Sequence, residues 1–183
     1  MSDHKLIVHP VNAWAILHDP PQLLDALKGQ GLIGLSFNYL GDLHFRPGPR
    51  FAELLVFRGE APSAEAAKEA YHVGLVETTA LPTFLGAVNA QGPVCSACQA
   101  RIADWKDQLL AWQTERQRYT WRCAKCSQPL AWERLEWGST GGVARYSLEV
   151  CGIPEGAAVP SAELLSALER ETREPWRFFY YRL

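Results

Sequence analysis

Four of the five cysteines fall in two C-x-x-C pairs, Cys95-Ser96-Ala97-Cys98 and Cys123-Ala124-Lys125-Cys126, separated by the 24 residues from Gln99 to Arg122. A C-x-x-C turn aims two thiolates at a common point about 2.3 Å away, and two such turns complete the tetrahedron that Zn²⁺ accepts without strain. The usual spacer is about 15–20 residues. The excess here predicts a helix between the pairs, because Ile102, Trp105, Leu109 and Trp112 recur at helical spacing with charges elsewhere around the wheel. Cys95, Cys98, Cys123 and Cys126 are therefore the expected metal ligands, with Zn²⁺ the expected ion. Four thiolates fill its coordination sphere, so the expected site is structural and Lewis-acid catalysis there is not anticipated.

C-x-x-C is also a thioredoxin-type redox motif, and Cys95-Cys98 does precede a helical pattern. One pair alone leaves that reading open; two pairs at ligand spacing favour the metal. Pro93-Val94-Cys95-Ser96-Ala97-Cys98 and Trp121-Arg122-Cys123-Ala124-Lys125-Cys126 resemble the two knuckles of a zinc ribbon, over roughly Gly92 to Trp137, about a quarter of the chain. The resemblance implies a structural zinc in a module that usually serves recognition or assembly. In that family a glycine often follows the knuckle; here Gln99 and Ser127 stand in its place. The fifth cysteine, Cys151, has no cationic neighbour in sequence and reads as a small buried hydrophobe at a strand end.

Five of the seven tryptophans (Trp105, Trp112, Trp121, Trp132 and Trp137) lie in the same segment. Interleaved with Arg101, Lys106, Arg116, Arg118, Arg122, Lys125 and Arg134, they suggest a stacking platform for single-stranded nucleic acid. Charge argues against it. Between Cys95 and Trp137 seven basic residues face five acidic ones, and a zinc–tetrathiolate centre brings about −2, which cancels the surplus. Phosphate binding requires a basic footprint. Core packing is the expected role of the indoles, and Arg122 and Lys125 are expected to offset the charge of the cluster. Arg116, Arg118 and Arg122 form the best local cationic group.

Over 183 residues the formal charge is −2, and 48% of residues are apolar, enough for one good core or two small ones. Four thiolates and one zinc ion take the total to about −4, which gives no long-range pull toward nucleic acid or a membrane surface. No secretory h-region or apolar run of membrane-spanning length is present. With several free thiols, this points to a reducing cytoplasm. His4, His9, His18, His44 and His72 show no paired metal spacing, and ordinary surface or hydrogen-bonded core roles are expected of them. His18-Asp19 looks like an acid–base pair, but Asp19 is explained by helix capping. Gly138-Ser139-Thr140-Gly141-Gly142 lacks the lysine and spacing of a P-loop and reads as a turn.

The positioning elements follow from patterning. Extended segments over Leu6 to Leu17 precede a helix opened by Asp19-Pro20-Pro21. Strands follow at Leu32 to Leu40, around Leu43-His44-Phe45 and at Phe51 to Phe57. Ser63 caps a helix through Ala70, Tyr71 to Thr79 is strand-like, and Pro82 opens a short helix ending near Asn89. After the second knuckle come a strand pair or hairpin at Leu130 to Trp137, a strand at Val143 to Val150, a helix from Ser161 to about Arg173 and a strand at Trp176 to Tyr181. Phe178-Phe179-Tyr180-Tyr181 puts aromatics on both strand faces, which suits a central strand. Pro62-Ser63-Ala64-Glu65 recurs as Pro160-Ser161-Ala162-Glu163, which reads either as an internal duplication or as two helix starts with one capping requirement.

The expected fold is α+β or α/β. A mixed-sheet body comes from both ends of the chain, residues 1–90 and 138–183, with a zinc-ribbon-like module at 91–137 inserted or docked between them. Separate domains joined near Ala90 and Gly138 are the alternative. The expected function is that of a zinc-binding intracellular protein with a non-enzymatic role, whose partner is another protein. Nucleic-acid binding, disfavoured by charge, is a second possibility. An enzyme with a site near His18, His44 or His72 in the N-terminal body is a third.

Overall fold

The computed structural model of the chain describes residues 4–77, 80–87, 89–115 and 121–182. In chain order the elements begin with β1 (His4–Pro10), α1 (Pro20–Gly29), β2 (Ile33–Tyr39), β3 (Asp42–Pro47), α2 (Phe51–Leu54), β4 (Leu55–Phe57), α3 (Ala64–Ala70), β5 (His72–Glu77) and β6 (Thr83–Phe84). They continue with α4 (Trp105–Thr114), β7 (Trp121–Arg122), β8 (Pro129–Leu130), β9 (Val143–Ala144), β10 (Tyr146–Cys151), β11 (Ala158–Pro160), α5 (Ala162–Thr172) and β12 (Trp176–Arg182).

Six strands from the two ends of the chain make one sheet in the order β12-β1-β10-β5-β3-β2. Every pairing in it is antiparallel, so the sheet is wholly antiparallel where a mixed one was expected, and the fold is α+β, not α/β. Alternation sorts the side chains. Leu6 and Val8 of β1, Phe45 of β3, Val73 of β5, Leu148 and Val150 of β10, and Trp176 of β12 join the core that includes Leu23 and Leu27 of α1 and Leu164 and Leu168 of α5. The alternate positions, among them Lys5, His44, His72, Glu149 and Cys151, belong to the other face. Part of that face is also closed: Ile7, His9, Ser147 and Phe179 are buried.

Local chemistry starts the helices where expected. Asp19 Oδ1 accepts from the Gln22 N–H at 2.9 Å, with prolines in the first turn of α1. Ser63 Oγ and Ser161 Oγ each accept from the N–H three residues on, in Ala66 and Leu164. A shared capping requirement thus accounts for the repeated Pro-Ser-Ala-Glu.

Four local expectations are also corrected. Phe51 to Phe57 is not one strand: a helical turn, α2, brings Phe51 and Leu54 inward together before the chain extends as β4. The helix expected after Pro82 is instead β6, drawn into pairing with β9, Thr83 opposite Ala144. Leu130 to Trp137 makes no hairpin of its own; β8 pairs back with β7 across the second knuckle, and Trp132–Arg134 is a 3₁₀ turn. The aromatic strand β12 lies at an edge of the sheet, not in its middle. That edge is nevertheless covered, because the Asn89 side chain donates to the Tyr180 carbonyl at 2.9 Å and accepts from the Arg182 N–H at 3.1 Å. The Ser139 carbonyl accepts from the Tyr180 N–H at 2.9 Å between them. Those loop groups take the part of a seventh strand.

Candidate metal centre

The two C-x-x-C segments fold into copies of one turn. In the first, the Gln99 N–H donates to the Cys95 carbonyl at 2.8 Å and the Cys95 N–H to the Ala100 carbonyl at 2.9 Å. In the second, the Ser127 N–H donates to Cys123 at 2.8 Å and the Cys123 N–H to Gln128 at 2.9 Å. Both turns close through a left-handed residue, Gln99 at φ 57° and Ser127 at φ 59°. These are the positions where the zinc-ribbon pattern often has glycine, and the backbone explains that preference.

Facing each other, the turns bring the four sulfurs within 4.8 Å of one another. Cys95 Sγ lies 3.8 Å from Cys126 Sγ, and Cys98 Sγ lies 3.7 Å from Cys123 Sγ. A disulfide needs about 2.0 Å, so neither contact is a bond, and all five cysteines are free. A regular tetrahedron with Zn–S of about 2.3 Å has sulfur–sulfur edges of roughly 3.8 Å. The arrangement is compatible with a four-cysteine zinc site.

Backbone N–H groups of Cys126 and Lys125 pull the Cys123 thiol down to about 7. At Cys126 the Gln128 N–H pulls the same way, but burial and the neighbouring sulfurs outweigh it and push the thiol up to about 12. Four thiolates this close repel one another, and a dication removes that cost. Arg122, expected to offset the cluster's charge, donates to the Ser127 carbonyl at 3.1 Å and so braces the second knuckle. Arg116 and Arg118 lie outside the described residues.

All five tryptophans of the segment are buried, as the core-packing expectation required. Trp132, 2% exposed, is central. Its ring stacks on Trp121 at 5.0 Å and on Trp137 at 5.4 Å, with Trp112 at 6.0 Å. Trp105 meets Trp137 edge-on at 5.4 Å. The helix predicted between the knuckles is α4, which buries Trp105, Leu109 and Trp112. Each of the five indoles is 8% exposed or less.

Elsewhere, His9 is almost wholly buried. Burial first, then repulsion from Arg177, holds it down to about 3, and its neutral ring meets the Pro10 carbonyl through Nδ1 at 2.9 Å. His18 lines a cleft of about 540 Å³ with Trp14, Gln22 and Thr172, while Asp19 is committed to its cap. Burial pushes the Cys151 thiol up to about 11, in keeping with an inert buried cysteine. Yet Cys151 lies with His44 and His72, all three within 4.8 Å. No short-range spacing in the sequence signals that grouping.

No family model, curated protein or solved structure compared with this chain matches it. Among the described residues no helix is long and apolar enough to cross a membrane.

Proposed function

We propose that Cys95, Cys98, Cys123 and Cys126 hold a structural Zn²⁺ in a zinc-ribbon-like module over residues 91–137, within an intracellular, cytoplasmic protein that recognises another protein. The four-sulfur cluster carries the reading. Its edges suit zinc, its donors are all soft, and a fourth thiolate leaves no corner for substrate. Elemental analysis of protein purified without added metal tests it directly. Copurified zinc, with one ion per chain lost in Cys98→Ser relative to the wild type, is the expected result; a metal-free chain whose tryptophan environment is intact would refute it.

The protein-recognition part is supported by the open edge of the sheet. Among the described residues no strand pairs with the outer side of β2, and Leu35 and Leu40 beside that edge are 82% and 79% exposed. Unpaired backbone next to exposed leucines favours addition of an extended segment from another protein. Affinity capture with the full chain, compared with Leu35→Lys, checks this: specific capture that survives the lysine would argue against the edge as the contact.

A further inference from the structure

We propose that His44, His72 and Cys151 form a second metal centre, one that takes a divalent ion of borderline softness such as Zn²⁺ and keeps a coordination position open. The donors come from three neighbouring strands, β3, β5 and β10. Cys151 is registered opposite His72, and His44 opposite Gly74. Their ligand atoms lie within 4.8 Å of one another, His44 Nδ1 and His72 Nδ1 only 2.8 Å apart.

Three features favour an ion over simple core packing. First, the two imidazoles turn their Nδ1 atoms toward each other although a carboxylate, Glu149, shares their face. That carboxylate is taken by Lys5 at 2.6 Å. The two nitrogens share a hydrogen bond in this structure; once the donor ring's proton moves to its Nε2, both lone pairs are free, and with the sulfur beside them they make the donor set of a nitrogen–sulfur metal site. Second, the backbone makes room for it. A Cβ on Gly74 would come 2.7 Å from His44 Cε1 and 3.0 Å from Nδ1, so only glycine at this position leaves the ring where it is. Third, the donors are walled rather than freely hydrated. His44 is 6% and Cys151 5% exposed, and the Tyr39 ring lies 4.3 Å from His72, with Phe37 at 5.8 Å.

Three protein ligands leave a tetrahedral ion one free position, the arrangement of catalytic rather than structural zinc. Here a cleft of about 330 Å³ opens beside His72 and Cys151, with Lys5, Arg46 and Tyr39 also on its walls. Glu69 stands with Arg46 on that wall and Lys5 is paired to Glu149, so the rim is balanced in charge. The free position therefore suits water. This centre is independent of the sulfur cluster, shares no ligand with it, and differs from it in having room to react.

The test is metal stoichiometry and Co²⁺ absorption on the full chain, wild type against His72→Gln, Cys151→Ser and Cys98→Ser. The wild type is expected to take two ions. His72→Gln and Cys151→Ser should each keep one, with the four-thiolate Co²⁺ spectrum, and bind the other more than about 100-fold more weakly. Gly74→Ala, which keeps every ligand, should weaken the same ion about tenfold by crowding His44. One ion per wild-type chain, lost in Cys98→Ser but retained in His72→Gln, overturns the second centre and leaves the sulfur cluster standing. One ion lost in His72→Gln but retained in Cys98→Ser does the reverse. Two ions with a spectrum and affinity unchanged by His72→Gln also overturn the proposal.

Discussion

The sheet body and the cysteine segment are held together by different means. In the body, six strands share antiparallel ladders, and wholly buried aliphatic residues such as Leu6, Leu148, Leu164 and Leu168 fill the layer under two helices. The cysteine segment has α4 and strands of two residues, β7 and β8, and its core, which also takes in Ala13 and Val143, is dominated by indoles. Short ladders fix little backbone, and large aromatic rings have to supply most of the buried area. On the proposed reading, zinc is the staple of a segment whose own ladders are short.

Removing metal is the strongest way to separate the two. Structural zinc contributes about 10–16 kcal/mol of apparent binding free energy in finger peptides, comparable with the whole stability of a domain, about 5–15 kcal/mol. A strong chelator is expected to abolish the near-UV circular dichroism of the tryptophans while far-UV strand signal persists. Loss of both together would mean that the sheet depends on the segment. Loss of neither would remove the need for a staple.

Next in size is the indole stack. Trp132 touches three other tryptophan rings, and Trp132→Ala is expected to cost about 3–5 kcal/mol. If the two cores open independently, amide exchange should accelerate in α4 and β7 and stay slow in β1 and β10. A uniform acceleration would make the two cores one cooperative unit.

How much of this could be read from the chain follows the same division. The sulfur cluster was legible because each ligand pair is local: two residues between thiols fix the turn, and the intervening helix announces itself through Trp105, Leu109 and Trp112. Capping made α1, α3 and α5 legible for the same reason. The His44–His72–Cys151 group was not, since it exists only once three strands are in register, and Cys151 by itself looks like any buried thiol. Edge position was likewise hidden. The Phe178-Phe179-Tyr180-Tyr181 run looks central because both its faces are apolar, whereas the cover on its open side comes from Asn89 and Ser139, far away in sequence. At Phe51 and at Thr83 the local pattern was outweighed by tertiary packing, a helical turn that buries two side chains in one case and pairing with β9 in the other.

Acid should strain the body through His9. Its folded-state proton affinity is depressed to about 3, below the ordinary 6.5 of an unfolded chain. The unfolded state therefore binds the extra proton first. The neutral ring's contribution is intact above pH about 6.5 and is lost as pH falls from there toward 3. Between pH about 6.5 and 4.5 that amounts to roughly 2–3 kcal/mol. The check is the slope of unfolding free energy against pH: His9→Gln, which keeps an N–H for Pro10, should flatten it over that range. An unchanged slope would take the acid sensitivity away from His9.

The smallest effect tests the knuckles themselves. Gln99 and Ser127 hold φ near 57° and 59°, where a Cβ costs about 1–2 kcal/mol, while glycine gives part of that back through the entropy it loses on folding. Gln99→Gly and Ser127→Gly should each tighten the cysteine segment by up to about 1 kcal/mol, read as up to about fivefold slower metal transfer to a chelator. Arg173, with φ 60° at the end of α5, supplies the matched control in the body. Arg173→Gly relieves the same strain and should raise the stability of the sheet without altering metal transfer. If all three substitutions moved both readouts together, the strain would be shared through a common folding unit, and the contrast between a laddered sheet and a stapled segment would have to be withdrawn.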